Sequence, residues 1–476
     1  MSPQMNAEKD SVKIRMYCQG LGDCFLLAFN GEDNKPRYML IDCGVLQKTK
    51  NDKIIMKEVA ENIKEATGGH IHVLVISHEH WDHISGFEQA ETVFKDIMID
   101  QVWFGWTENP DDNNAQVLRA QKDKLLNALR MIVENKDKDS RLKFAEGLEG
   151  LLGFHGELSD TTGRQTSAGI MEMVRGWGEK KPSYFSPGNS PHQMPGVAEV
   201  RFFVLGPPES TQMLKRSKPR TGEVYLTDLD SDYLDIFAQK VFHMLDPDLK
   251  GVTESDTTAA QKINPFDQRY MIVPQTEEAK PIDEFVNNNY NNIKYQWRNI
   301  DNLWLEASED LALHLDSNTN NTSLVLAIEL IGTGKVLLFP GDAQVGNWLS
   351  WEGLTWQVDN KTVTSQELLS RTVLYKVGHH GSHNATLREK GLELMTHSEL
   401  TAMIPVNEDM AKQQTPIWKM PFEPLYQRLK ELCKGRIIRA DTDVPTHKPA
   451  DISQELWDNF KAQAKKTNLY CEYTVK

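Results

Sequence analysis

The apolar, largely β-branched run Val73-Leu-Val-Ile76 ends in His78-x-His80-x-Asp82-His83. A run of this kind reads as a strand buried on both faces. If the chain stays extended past it, His78 and His80 project to one side. A turn then brings Asp82 and His83 to a second point nearby. Imidazole and carboxylate donors suit Zn²⁺, Mn²⁺ or Fe. A surface loop can collect histidines by chance. Four metal-type residues within six positions, at the end of a buried strand, argue against chance.

The rest of the chain limits what such a centre can serve. Its 476 residues suit one large domain with insertions, or two to three domains. A net charge of −15 excludes a surface that coats nucleic acid non-specifically, while leaving room for a local basic groove. The polar start, Met1 to Asp10, lacks the apolar core of a signal peptide, and no apolar run is long enough to span a bilayer. The five cysteines form no CxxC pair and read as reduced thiols. A cytoplasmic protein without membrane attachment is expected.

Strand and helix signals alternate, as a layered α/β domain requires. Strands are predicted at 12–17, 24–29 and 38–44, the last ending in Asp42 and Gly44. The turn Gln19-Gly-Leu-Gly-Asp23 joins the first two. Residues 51–67 show helical periodicity, and helices are predicted at 85–94 and 115–133 around a strand at 101–104. Signals weaken over 134–200. A strand at 201–205 precedes Gly206-Pro-Pro208, and residues 209–318 read as an insertion carrying a short basic patch, Lys215 to Arg220. A solvated loop is the ordinary reading of that patch. Strands at 324–330 and 335–339 form a hairpin leading to Pro340-Gly-Asp342, and a strand at 372–377 leads to Gly378-His-His-Gly-Ser-His383. Helices at 386–396 and 422–433 alternate with strands at 401–406 and 436–440. Residues 446–476 read as an appended tail with a helix from Ser453 to Ala464.

The HxHxDH motif resembles that of the metallo-β-lactamase-fold hydrolases. The Gly-Leu-Gly-Asp-Cys-Phe-Leu-Leu and Leu-Ile-Asp-Cys-Gly stretches, Asn320-Asn-Thr-Ser-Leu-Val-Leu326, the Gly-Asp after a strand and Gly-His-His-Gly-Ser together resemble one branch. That branch is the soluble hydrolase domain of the competence protein ComEC and its stand-alone relatives. The resemblance covers roughly residues 11–106, 200–207 and 320–445. It implies an α+β fold, an αββα sandwich over 11–445 with large insertions at 107–199 and 209–318. It also implies two divalent metal ions, Zn or Mn. His78 and His80 would hold one ion; Asp82, His83 and a histidine of the 379/380 pair would hold the other; Asp342 would bridge them. His380 is favoured as the ligand. His379, with Asp82, then belongs to the catalytic set, facing substrate or leaving group. Asp42 would support the ligands from beneath, and Ser382 would donate to a phosphoryl oxygen. His383 is expected to be accessory.

One departure stands out. Many enzymes of this fold place another metal-binding histidine between HxHxDH and the bridging aspartate. His155, His192, His243 and His314 lie there, none in a recognisable context. The first site is therefore open or completed by water, and Mn²⁺ competes with Zn²⁺ for it. Three functions fit these residues. The first is a metal-dependent phosphodiesterase, most plausibly a nuclease acting on nucleic acid or a small phosphodiester. The second is a hydrolase of a small ester, lactone or phosphorylated metabolite. The third is a partner-regulated or non-catalytic metal-binding protein whose insertions contact another protein.

Overall fold

The computed structural model describes residues 4–134, 152–153, 165–188, 190–216, 284–285, 288, 315–414 and 417–476. The chain divides into two compact units, residues 1–119, 153–226 and 316–476 in the first, 120–152 and 227–315 in the second. Nearly all of the second, most of the expected insertion at 209–318 and the basic patch beyond residue 216 lie outside the described residues.

The first unit is an α+β sandwich of two mixed sheets flanked by helices. Strands β1 (Val12–Tyr17), β2 (Cys24–Asn30), β3 (Pro36–Cys43), β4 (His70–Val75), β5 (Met98–Gly105) and β6 (Ser183–Phe185) lie side by side in sequence order. The second sheet draws on β7 (Val200–Gly206), β8 (Val325–Leu330) and β9 (Val336–Phe339). The small hairpin of β10 (Thr355–Val358) and β11 (Lys361–Thr364) stands apart, and β12 (Thr372–Lys376), β13 (Thr401–Ile404) and β14 (Ile437–Arg439) complete the second sheet in the order β14-β13-β12-β9-β8-β7. Residues 446–476 are read from sequence as a tail. They supply a helix, Gln454–Gln463, and two strands, β15 (Ala464–Lys466) and β16 (Tyr470–Val475). β16 pairs antiparallel along all of β1, so these residues extend the first sheet. Alternating burial along β16 is the pattern of a strand with one face on the core.

Three apolar layers follow from the strand period. Phe25, Leu27, Val73 and Val75 of the first sheet meet Phe202, Leu326, Leu337 and Met403 of the second between the sheets. Leu26, Leu40 and Leu74 face the helices α1 (Asp52–Thr67) and α2 (Trp81–Gln89). Phe203, Leu338 and Tyr375 face Trp348, Trp351 and Leu429 on the far side. None of the helices among the described residues is long and apolar enough to cross a membrane. The five cysteines are free thiols, with Cys18 and Cys471 Sγ atoms 3.8 Å apart.

Two helix expectations are corrected. The helix predicted from Ser85 begins at Trp81. His80 keeps extended backbone at its N-cap (φ −71°, ψ 147°), and Asp82 falls in the first turn, where the helix dipole favours a carboxylate. The helix predicted at 386–396 is only a short turn, Leu392–Leu394. Its apolar positions, Leu387, Leu392 and Met395, bury against the outer layer from irregular backbone.

Glycines seat the motif loop. The Gly44 amide donates to Asp23 O (3.0 Å), and the Asp23 amide donates to Asp82 O (3.0 Å). A Cβ on Gly44 would lie 2.3 Å from the Asp82 carbonyl carbon and 2.5 Å from His83 N. Gly44→Ala is expected to lower stability by about 1–3 kcal/mol, read by chemical denaturation, because neither rigid backbone can yield cheaply. It should weaken metal binding in the same protein.

Candidate metal centre

The site gathers at one end of both sheets. From the first sheet, β4 runs into Ser77 and His78, and α2 carries Asp82 and His83. From the second, β9 leads to Asp342, and β12 carries Lys376 and leads to His379 and His380. The last two both take left-handed backbone (φ 47° and 53°). The turn is closed by the Gly381 amide on Gly378 O (3.0 Å) and the Ser382 amide on His379 O (2.8 Å). Asp82, His83, Asp342 and His380 bring one donor atom each within 4.8 Å of one another, and all four are buried.

Hydrogen bonding at the rim shows which nitrogen of each ring faces inward. His83 Nδ1 donates to Asp42 Oδ2 (2.8 Å), leaving Nε2 3.2 Å from Asp342 Oδ2. His380 Nδ1 donates to Pro405 O (2.8 Å), leaving Nε2 2.9 Å from Asp82 Oδ2. Ser77 Oγ donates to Asp42 Oδ2 (2.6 Å), so it accepts from His78 Nδ1 (3.0 Å). His78 Nε2 then faces His80 Nδ1 at 3.0 Å. The inward ring nitrogens thus face carboxylate oxygens or one another. Carboxylates buried this close together need positive charge among them, from ring protons or from a cation. Asp82 Oδ1 is moreover buried with no hydrogen-bond partner among the described residues. This donor set fits divalent cations, with nitrogen and oxygen ligands suited to Zn²⁺ or Mn²⁺.

Protonation shows the same demand. Burial opposes the charged form of His83, but Asp342, Asp23 and Asp42 outweigh it and raise its pKa well above the usual histidine range. Burial likewise opposes charge on His380, yet its hydrogen bond to Asp82 and the charges of Asp342 and Asp82 raise its pKa. Burial first, then His83, lowers His78; burial and His78 lower His80. Burial would raise Asp342, but His83 and Lys376 hold it well below the carboxylate range. The surrounding carboxylates thus favour protons on His83 and His380, and an incoming cation competes with them. Metal binding is expected to release protons, and apparent affinity to fall as pH drops. Calorimetry in buffers of different ionisation enthalpy measures that release.

The structure brings together His78, His80, Asp82, His83, Asp342, His379 and His380, with Asp42 beneath His83. Ser382 Oγ instead donates to Asn384 Oδ1 (2.9 Å), and His383 packs on Phe422. Of the further histidines, His192 bridges to Phe202 and packs on Phe185. His155, His243 and His314 lie outside the described residues.

Several site residues have no role assigned from sequence. Lys376 is buried; its Nζ donates to Gly341 O (2.7 Å) and Asp342 Oδ1 (3.2 Å) and contacts Asp23 Oδ2. Asp23 reads from sequence as a turn residue. A lone lysine within the apolar Thr372–Val377 run is the signal that could have found the pair, since an uncompensated buried charge is not tolerated. Ser323 Oγ accepts the Asp342 amide (3.1 Å), and Gln344 Nε2 donates to His379 Nδ1 (3.3 Å).

A second cluster, His70, His72 and Asp100, lies half-buried on β4 and β5. His72 Nδ1 accepts the Tyr38 amide (3.1 Å), which leaves the proton on Nε2 and removes that ring as a ligand.

No protein-family model matches this chain, and no curated protein matches it in sequence.

Proposed function

We propose that the chain is a metal-dependent hydrolase of the metallo-β-lactamase kind, acting on phosphodiesters through two divalent ions. One observation carries this reading: the inward ring nitrogens of His83 and His380 face the carboxylates of Asp342 and Asp82 in a buried cluster beside His78 and His80. His78 and His80 would hold one ion, and Asp82, His83 and His380 the other. Asp342 would lie between them, its Oδ1 held by the His379 amide (2.9 Å) and Lys376, its Oδ2 turned inward. Two such ions would lower the pKa of a water between them and neutralise charge developing on phosphoryl oxygens.

The chain's own groups perform the rest. Asp42 fixes the His83 ring through Nδ1. Asp82, whose Oδ1 is buried without a hydrogen-bond partner among the described residues, would orient the attacking water and receive its proton. His379 is pushed down to about 4 by burial and by His380, so it is neutral at pH 7. Gln344 donates to His379 Nδ1, which places the proton on Nε2, ready for a leaving oxygen.

The net charge of −15 favours a second reading within the same chemistry, a small phosphodiester rather than a long polymer. The test compares single- and double-stranded DNA, RNA and bis-p-nitrophenyl phosphate at rising salt with Mn²⁺ or Zn²⁺. A polymer substrate makes the rate fall steeply with salt. Cleavage of the small diester alone, insensitive to salt, places the substrate among small molecules. Turnover of esters or lactones without any diester cleavage contradicts the phosphodiesterase reading.

A further inference from the structure

Cys18 follows directly on β1, and Cys471 lies in β16, the strand paired with it. Met16 stands opposite Cys471, and the Cys18 amide donates to Leu469 O (2.8 Å). The strand period puts Cys18 on the same face as Met16, so the two thiols are diagonal neighbours across the ladder. Their Sγ atoms are 3.8 Å apart. A disulfide needs about 2.0 Å between sulfurs, so each must move by about 1 Å. Cys471 is buried between the sheets, and Cys18 packs on the same layer partly exposed. Lys466 of β15 is the register partner of Cys471 on its other side. Its Nζ is held by Ala440 O (2.9 Å) and Thr442 O (2.6 Å), and its charge reaches both thiols. The contact with Cys471 lowers the Cys18 pKa, burial opposes this, and Lys466 lowers it further. The contact with Cys18 and then burial raise that of Cys471. One thiol is thus an accessible nucleophile and the other a sheltered resolving partner. The remaining thiols differ. Cys24 and Cys43 also face each other, across β2 and β3, but both are buried against the helices, and Cys433 is buried in the outer layer.

We propose that Cys18 and Cys471 are a peroxide-responsive pair whose disulfide clamps β16 onto β1. The Cys18 thiolate sulfur attacks one oxygen of hydrogen peroxide. The O–O bond breaks, hydroxide leaves and takes up a proton, and Cys18 becomes a sulfenic acid. The Cys471 sulfur then attacks the Cys18 sulfur. The S–S bond forms, the S–O bond breaks, and the departing hydroxide takes the Cys471 proton as water. Each cysteine loses one electron, and the peroxide gains two to become two waters. The link joins positions 453 apart in sequence, so it restricts the unfolded chain far more than the native sheet.

The test treats the full chain with hydrogen peroxide, beside Cys18→Ser and Cys471→Ala. Thiols are counted in denaturant with dithionitrobenzoate, sulfenic acid is trapped with dimedone, and disulfides are mapped by mass spectrometry of non-reduced peptides. The wild type is expected to fall from five thiols to three, with the Cys18 and Cys471 peptides joined. Cys18→Ser should keep its four thiols, and Cys471→Ala should accumulate trapped sulfenic acid at Cys18. The oxidised wild type should unfold at a higher urea concentration than the same sample reduced with dithiothreitol, a difference absent in Cys18→Ser. Peptide mapping in the wild type decides the matter even if a variant fails to fold. Retention of all five thiols, or a link between Cys24 and Cys43 in place of the expected one, overturns the proposal. A crosslinked protein whose urea midpoint is unchanged overturns the clamp.

Discussion

Asp342→Asn is expected to lower metal-dependent diester hydrolysis by ~10³-fold or more. The substitution keeps the shape of the side chain and removes one charge. Asp342 is where the two halves of the centre meet: His83 from the first sheet, Lys376 and the His379 amide from the second. On the proposed dinuclear reading, loss of its charge would weaken both ion positions and the neutralisation they give a phosphoryl group. That term is worth several kcal/mol, and each 1.36 kcal/mol is tenfold in rate. Initial rates at saturating metal, with bound metal measured in the same samples, check it. Full activity with one ion missing would show that the bridging position is not used.

Lys376→Met is expected to destabilise the metal-free protein by about 3–5 kcal/mol, the usual consequence of leaving a buried charge without its partner. The ammonium lies among Asp23, Asp342 and the Gly341 carbonyl, and both the lysine and Asp23 are nearly inaccessible to water. Burial disfavours the charge on Lys376, but Asp23 and then Asp342 outweigh it and raise its pKa. Without Lys376, two carboxylates face each other in a dry site. Divalent metal should restore part of the stability, because it supplies the missing positive charge. Urea denaturation with chelator and with Zn²⁺ measures both quantities. A variant as stable as the wild type under chelation would show that Asp23 is protonated, with no ion pair there.

The residues visible in the sequence are those whose type alone announces chemistry. His78, His80, Asp82 and His83 stand out because few structural needs place three imidazoles and a carboxylate after an apolar run. The strands stand out for a related reason: buried apolar runs leave a local trace in β1, β8 and β12. Asp23 leaves none, and Lys376 only its place in an apolar run. Each is a single charged residue whose partner lies far along the chain, Asp23 353 positions from Lys376. Only the closing of one sheet on the other brings them together. Ser382 shows what a motif does not reveal. A motif serine beside a ligand reads as a donor to substrate, but its hydroxyl is spent on Asn384, two residues away. Small local turns of this kind compete for hydroxyl groups without altering any sequence pattern.

The central claim is that the buried cluster works as a metal-dependent phosphodiesterase. Its most direct test is the rate of bis-p-nitrophenyl phosphate hydrolysis by one preparation measured as purified, after chelation, and after reloading with Mn²⁺ or Zn²⁺. Hydrolysis lost on chelation, restored on reloading and absent in His80→Ala is the expected result. Protein that binds two ions yet leaves the diester uncut, or that cuts it equally well after chelation, would contradict the account.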